Sequence, residues 1–453
     1  MWLHVTDKTL TPTYFQDKGS TFMANVPYSS RWTGRIWAQR SLAALIIWSL
    51  TTWTWCAASL SGDDQTATWP QWRGPHRDAR YQGGPWPASL QGEHLTQRWR
   101  VELAPSYSSP IVSQDRVFVT ETVDKTTEVV RALDRATGRE IWKTQWEGSI
   151  VVPFFAASNG SWIRSTPALD GDRLYVAGMR DLLVCLDANT GAKIWEIDFI
   201  KAYEAPVPDF GFVSSPIVLG DFVYVQAGAS LAKVQKQTGQ VVWRVLQDQG
   251  GMFGSAFSSP YLVTLQGTPQ LLVQTRTTLA GVNPESGEVY WQQEIPAFRG
   301  MNILTPTPVG DGIFTSSYGG KSLLLTPNRS DSGWSLQETW TNKSQGYMST
   351  PIVIGDHIYM HLRNRRFVCL DAKTGEEKWT STPFGEYCSM VANGDMILAL
   401  DQRGELLLIR ANPDKFDVVD RRSIADNTWA HLAVCGNELF VRELYAMTAY
   451  EWK

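Results

Sequence analysis

From residue 110 onward the chain is written in short apolar or alternating runs, each broken by a turn signal. Examples are ALDGDRLYVAG after Pro167, IVLGDFVYVQAG after Pro216 and IVIGDHIYMHL after Pro351. Alternation with period two puts every second side chain on one face of a pleated strand, and a Gly-Asp pair between two such runs reverses the chain. The pattern predicts β-hairpins. Nowhere does it hold the 3.6-residue period of a helix of any length.

The hairpins follow a landmark of Ser-x-Pro type. It stands at Ser108-Ser109-Pro110, Ser165-Thr166-Pro167, Ser214-Ser215-Pro216, Ser258-Ser259-Pro260 and Thr350-Pro351, with Thr307-Pro308 as a looser match. Units then close on an eleven-residue element: ALDRATGREIW, CLDANTGAKIW, KVQKQTGQVVW, GVNPESGEVYW and CLDAKTGEEKW, ending at Trp142, Trp195, Trp243, Trp291 and Trp379. A fifth unit is stretched between Leu325 and Trp340, and two degenerate units start near Met390 and Leu432. Starts 39 to 57 residues apart, with four short strands each, predict the blades of a propeller. The last unit stops one strand short, while the run Gln97 to Leu103 precedes the first landmark without a partner. If that run is the outer strand of the last blade, no sheet edge is left open and Trp99 takes the place of Trp142 and Trp195. The expectation is an all-β, eight-bladed propeller with its ring closed by the N-terminal strand. Seven blades is the alternative, should the Met390 unit merge with a neighbour.

The stretch before the repeats reads as an export signal. Ser41 to Trp55 is an uncharged run of 15 residues preceded by Arg31, Arg35 and Arg40 and followed by Cys56-Ala57-Ala58-Ser59. A membrane span needs about 20 apolar residues, so cleavage after Ala58 is expected, with an uncleaved anchor or a lipid on Cys56 as alternatives. Met23 opens a more ordinary signal peptide than Met1 does. The domain expectation is residues 1–58 as extension and signal peptide, 59–96 as a linker or cap, and 97–453 as the propeller. Removing 1–58 takes the net charge from -4 to -7. With no Lys/Arg-rich run, nucleic acid is not an expected partner. The membrane is reached only through an uncleaved segment or a lipid.

The 21 Trp carry much of the architecture. Burying one removes about 150 to 250 Å² from water, worth up to about 4 to 6 kcal/mol before entropic corrections. A structural docking role between blades is therefore expected for Trp99, Trp142, Trp195, Trp243, Trp291, Trp340 and Trp379. The eleven-residue ending resembles the tryptophan-docking motif of quinoprotein-type propellers. That superfamily includes pyrroloquinoline-quinone (PQQ) alcohol dehydrogenases and the outer-membrane assembly lipoprotein BamB. The segment WPQWRGPHRDA, Trp69 to Ala79, resembles the start of exported bacterial PQQ-binding-like β-propeller repeat proteins. The likeness covers about Trp69 to Lys453 and speaks for fold more than for activity.

Enzyme chemistry is harder to place. PQQ dehydrogenases of this superfamily hold their cofactor against a disulfide of adjacent cysteines with a Glu/Asn/Asp set on calcium. Neither an adjacent cysteine pair nor such a set can be matched in this chain. Cys185 and Cys369 occupy equivalent positions four blades apart, too far for a bond, and Cys388 and Cys435 fall at different heights in adjacent units. His357 and His361 lack a third ligand. No nucleophile elbow, phosphate loop or dinucleotide fingerprint is present.

What remains is a surface. Residues just before the inner strands converge at one end of a propeller's channel, and here they are Tyr107, Arg164, Phe212, Phe257, Tyr347, Tyr387 and Trp429. Tyr, Trp and Arg dominate binding hot spots, so this rim is the candidate binding site. Longer inserts at Trp146 to Ile163 and Phe298 to Asn302 are expected beside it. The functional expectation is an exported, non-catalytic binding or scaffold module of the periplasm or cell envelope, with a protein or small ligand at the end face. The alternatives are a PQQ- and calcium-dependent oxidoreductase and an outer-membrane assembly scaffold like BamB.

Overall fold

The computed structural model describes residues 67–251, 254 and 256–453. The apolar run 41–55, Cys56 and Met23 lie outside the described residues. Eight four-stranded antiparallel sheets follow one another along the chain. Their inner strands begin at Ile111, Ala168, Ile217, Tyr261, Thr307, Ile352, Cys388 and Ala433. We number the blades one to eight in that order. Seven are built from consecutive strands. The eighth takes its outer strand, Leu95–Glu102, from the other end of the chain, pairing Leu95 with Trp452 and Glu102 with Ala446. The protein is thus an eight-bladed propeller closed by its N-terminal strand, and the Met390 unit is a full blade, Cys388–Asn393 to Asp417–Ser423.

The repeat's two landmarks have physical jobs. At the perimeter, the indole N–H of one blade's Trp donates to a main-chain carbonyl in the third-to-fourth strand connection of the next. Trp99 reaches Arg135 O at 2.9 Å, Trp142 reaches Ala188 O at 3.1 Å and Trp195 reaches Lys236 O at 3.1 Å. Trp243, Trp340 and Trp379 do the same to Glu285, Ala372 and Asn412. The Gly of the Thr-Gly turn lies flat under the ring. A Cβ at Gly191 would stand 2.5 Å from Trp142, and one at Gly375 only 2.3 Å from Trp340, so a side chain there would displace the indole. The turn is held from within by its Asp: Asp187 Oδ1 accepts from the backbone and hydroxyl of Thr190.

Trp291 departs from this pattern. It packs against Ile313, Leu323 and Leu325 of blade five, but its N–H donates 2.8 Å to Gln270 Oε1 inside its own blade. Blade five has long strands, Ser322–Ser330 and Gly333–Asn342, in place of a Thr-Gly turn, and so offers no carbonyl at that place. Between blades seven and eight the N-terminal segment substitutes: Asp420 accepts from Ser89, Leu90 and Gln91, and Trp452 donates to Ser89 O.

The second landmark lines the channel. The Ser or Thr immediately before each Pro takes the backbone N–H of its counterpart one blade back. Ser109 N donates to Thr166 Oγ1, Thr166 N to Ser215 Oγ, Ser215 N to Ser259 Oγ, Ser259 N to Thr305 Oγ1 and Thr305 N to Thr350 Oγ1, at 2.9 to 3.2 Å. Leu432 N to Ser389 Oγ and His431 N to Ser109 Oγ continue it across the closure. This ring corrects the register of the fifth unit. Its landmark is Thr305-Pro306, two residues before Thr307-Pro308, because Thr305 is the hydroxyl in the ring and Thr307 already belongs to the inner strand.

Candidate functional site

The stretch Trp69 to Tyr81 crosses the channel. Trp69 exchanges two backbone hydrogen bonds with Val112 of blade one, Leu169 N of blade two donates to Pro70 O, and Tyr81 N donates to Ala392 O of blade seven. Arg77 donates to Ser215 O and Pro216 O of blade three, and Arg73 to Pro351 O of blade six. Between them Trp72 lies across the axis, with the guanidinium groups of Arg73 and Arg77 at 5.5 and 5.3 Å from its ring and His431 edge-on at 5.5 Å. Burial lowers the pKa of Arg73 to about 10 and of Arg77 to about 9, so both remain charged at neutral pH. Burial and the nearby Arg73 push the His431 imidazole down to about 3, leaving it neutral.

Trp72 is the floor of a cavity of about 300 Å³ at the end where the inner strands start. Five of the seven rim residues read from the sequence line it: Tyr107, Arg164, Phe257, Tyr347 and Trp429. Tyr107 stacks on Trp429 at 4.5 Å and 17°, fixed by a 2.6 Å hydrogen bond to Asn159 O. The Arg164 guanidinium sits 5.5 Å from the Tyr107 ring and gives one bond, 2.7 Å, to Gly160 O, while its Nε has no partner. Tyr387 stands behind this wall, 4.0 Å from Trp429 and 5.8 Å from Tyr347.

Phe212 does not line the cavity. It is 1% exposed and packs between blades two and three with Tyr175, Phe199 and Val223. Phe210, two residues earlier, takes the lining position and meets Phe257 at 5.3 Å. Sequence reasoning also missed Trp72, which lies in no repeat; the signal was the aperiodic WPQWRGP run itself. The two inserts do flank the mouth. Phe154 is 90% exposed and Phe298 50%, and Arg299 lies 5.2 Å from the Phe298 ring and 5.5 Å from Phe155.

The hydroxyls of the wall share one arrangement. Thr166, Ser215, Ser259, Thr305 and Thr350 line it with hydroxyl oxygens already accepting backbone N–H groups, so their own hydrogens are left to donate. Among the described residues no Asp or Glu lines the cavity. A divalent cation needs anionic oxygens, and among the described residues no group of three His, Cys, Asp or Glu is placed to hold a metal. The described residues lining this cavity thus do not fit a calcium-assisted quinone site. Cys185, Cys369, Cys388 and Cys435 are free thiols buried in the blades. His361 is buried beside Phe367 and Phe384, with its pKa lowered to about 4 by that burial. Among the described residues no helix is long and apolar enough to cross a membrane.

Comparison with known proteins places this architecture. Residues 126–381, more than half of the chain, match the family described as "Outer membrane protein assembly factor BamB". The chain belongs to that family. Members of the BamB family are also its curated relatives: the assembly factor of Moranella endobia is 24% identical over 327 residues, 70% of this chain and 77% of that protein. The crystal structure of BamB from Moraxella catarrhalis superposes with a TM-score of 0.57 at 16% identity, covering 79% of this chain and 98% of that one. A quinohemoprotein alcohol dehydrogenase from Comamonas testosteroni gives 0.62 at 12% identity, covering 86% and 81%. At those identities the two structures speak to the fold alone.

Proposed function

We propose that this protein is a non-catalytic binding module of the bacterial envelope, and that the mouth of the Trp72 cavity is where its partner docks. The observation that carries the reading is the joining of two features on one face: a cavity walled by aromatic side chains and floored by Trp72, and an exposed lip of Phe154, Phe155 and Phe298. Aromatic anchors in a desolvated centre with Arg beside them are the composition of binding hot spots. The family's description as an outer-membrane assembly factor supports an envelope location and a protein partner. An assembly role like that of the BamB relatives is the specific form this reading takes.

Photo-crosslinking from positions 154 and 298 in cells that export the protein tests it. The expected product is a crosslink to a component of outer-membrane protein assembly, lost in the Arg164→Ala/Tyr347→Ala double variant while its circular dichroism and melting are retained. Crosslinks that survive the double variant reject the rim. A calorimetric titration with PQQ and calcium tests the competing oxidoreductase reading; no heat is expected, and submicromolar binding near one equivalent would replace the present reading with a cofactor site.

A further inference from the structure

The segment that carries Trp72 leaves one side of the channel unfilled. It is hydrogen-bonded to blades one, two, three, six and seven and touches blade eight through His431 against Trp72, but among the described residues none of its hydrogen bonds reaches blades four and five. There the channel continues past Thr305, below the floor, into a second cavity of about 140 Å³. Its walls are Arg73, Arg77, Asp78 and Arg80 from the segment, with Tyr261 of blade four and Thr307 of blade five.

The charges here do not balance. Three guanidinium groups face one carboxylate, and Asp78 already uses Oδ1 to accept the backbone N–H of Arg80. The arginines donate to neutral oxygens: Arg73 Nη2 to Asp78 O and Pro351 O, Arg77 to Gln71 Oε1, Ser215 O and Pro216 O, and Arg80 to Val353 O. Arg77, 1% exposed, keeps a buried Nε with no partner. Buried charge without a counter-charge is costly, and guanidinium forks are the side chains best shaped to hold carboxylate or phosphate oxygens. A water occupies about 30 Å³, so the cavity has room for a small polyatomic anion and none for a nucleotide.

We propose that this gap is a binding site for a small oxyanion, a phosphate or carboxylate group, held by Arg73, Arg77 and Arg80 with the Tyr261 hydroxyl as a further donor. The site lies beneath Trp72 and is independent of what docks at the upper mouth. The sequence run QWRGPHRDAR is then explained as a unit: Trp72 closes the upper cavity, and the arginines after it line the lower one.

Isothermal titration of the purified protein with sodium phosphate and, separately, with sodium succinate tests the proposal. One anion per chain is expected, with a melting temperature that climbs with anion concentration by mass action. Tighter binding of phosphate identifies a tetrahedral oxyanion and tighter binding of succinate a carboxylate; each supports the site. Arg80→Gln and Tyr261→Phe, both at half-buried positions, are expected to weaken binding by about tenfold and about threefold. Should Arg80→Gln fail to fold, Tyr261→Phe decides alone. Binding of neither anion, or binding unchanged in the folded variants, overturns the proposal.

Discussion

The perimeter and the channel of this ring are built on opposite plans. At the perimeter one device recurs, a Trp ring laid on the next blade's turn with its N–H on that blade's carbonyl, and six of the eight junctions carry it. The channel is filled once, by a segment that belongs to no blade and whose arginines reach blades three and six. A device repeated around a ring answers a packing problem and is indifferent to any ligand. Whatever is chemically particular to this protein therefore lies in what is not repeated: Trp72, the arginines after it, and the inserts that raise Phe154 and Phe298.

The strongest test of the contrast is to break the perimeter alone. Trp142 is 9% exposed, packs on Leu174, Val184 and Leu186 of the next blade and does not line the cavity. Trp142→Ala should lower stability by about 3 to 5 kcal/mol in denaturant titration, through lost burial and the cavity left behind. At temperatures where the variant stays folded, its end-face binding should be unchanged. A loss of binding in step with stability would show that perimeter and channel are not separable.

The same contrast explains what the sequence could and could not tell. Blade count, closure by the strand containing Trp99 and the position of most inner strands were legible because each rests on a spacing repeated many times. Five of the seven expected rim positions line the cavity, since the residue before an inner strand has a fixed place in the repeat. Phe212 failed because the chain before blade three is irregular, and a shift of two residues exchanged its place with Phe210. Thr305 was passed over for Thr307 for the same kind of reason: LTPTPV offers two Thr-Pro steps, and only the hydroxyl ring distinguishes them. Trp72 had no repeat to be read against. A channel plug is defined by contacts to blades 40 to over 300 residues away, as with Arg73 and Pro351, and those have no local signature.

A smaller effect separates the greasy part of a junction from its polar part. Glu128 of blade one is wholly buried, accepting 2.7 Å hydrogen bonds from Met179 N of blade two and from Trp146 Nε1. Burial outweighs both bonds and raises its pKa from 4.5 to about 7. With the folded value above the unfolded one, the carboxyl keeps its proton longer in the folded state. Its contribution to stability is therefore full below about pH 4.5 and is lost as pH rises through about 7, by up to about 3 kcal/mol. Denaturation curves of the protein and of Glu128→Gln across that window should converge or cross, the wild type losing stability relative to the variant as pH rises. Parallel curves would mean that Glu128 titrates normally.

The exceptional junction gives the finest test, because it is the place where the docking hydrogen bond can be removed by substitution. At the six regular junctions the acceptor is a main-chain carbonyl, which no mutation deletes. Trp291 donates instead to the side chain of Gln270, and both residues are buried. Gln270→Leu leaves the indole N–H without an acceptor while filling similar space, so a loss of about 1 to 2 kcal/mol is expected. Trp291→Phe removes the donor as well as part of the ring. If the hydrogen bond is a separate term, the double variant should lose less than the sum of the two single losses, by about 1 kcal/mol in a double-mutant cycle. Strict additivity would assign the whole of this Trp's contribution to the contact of its ring with Ile313 and Leu323. The repeat's Trp would then dock by area, with no measurable cost in leaving its N–H without this acceptor.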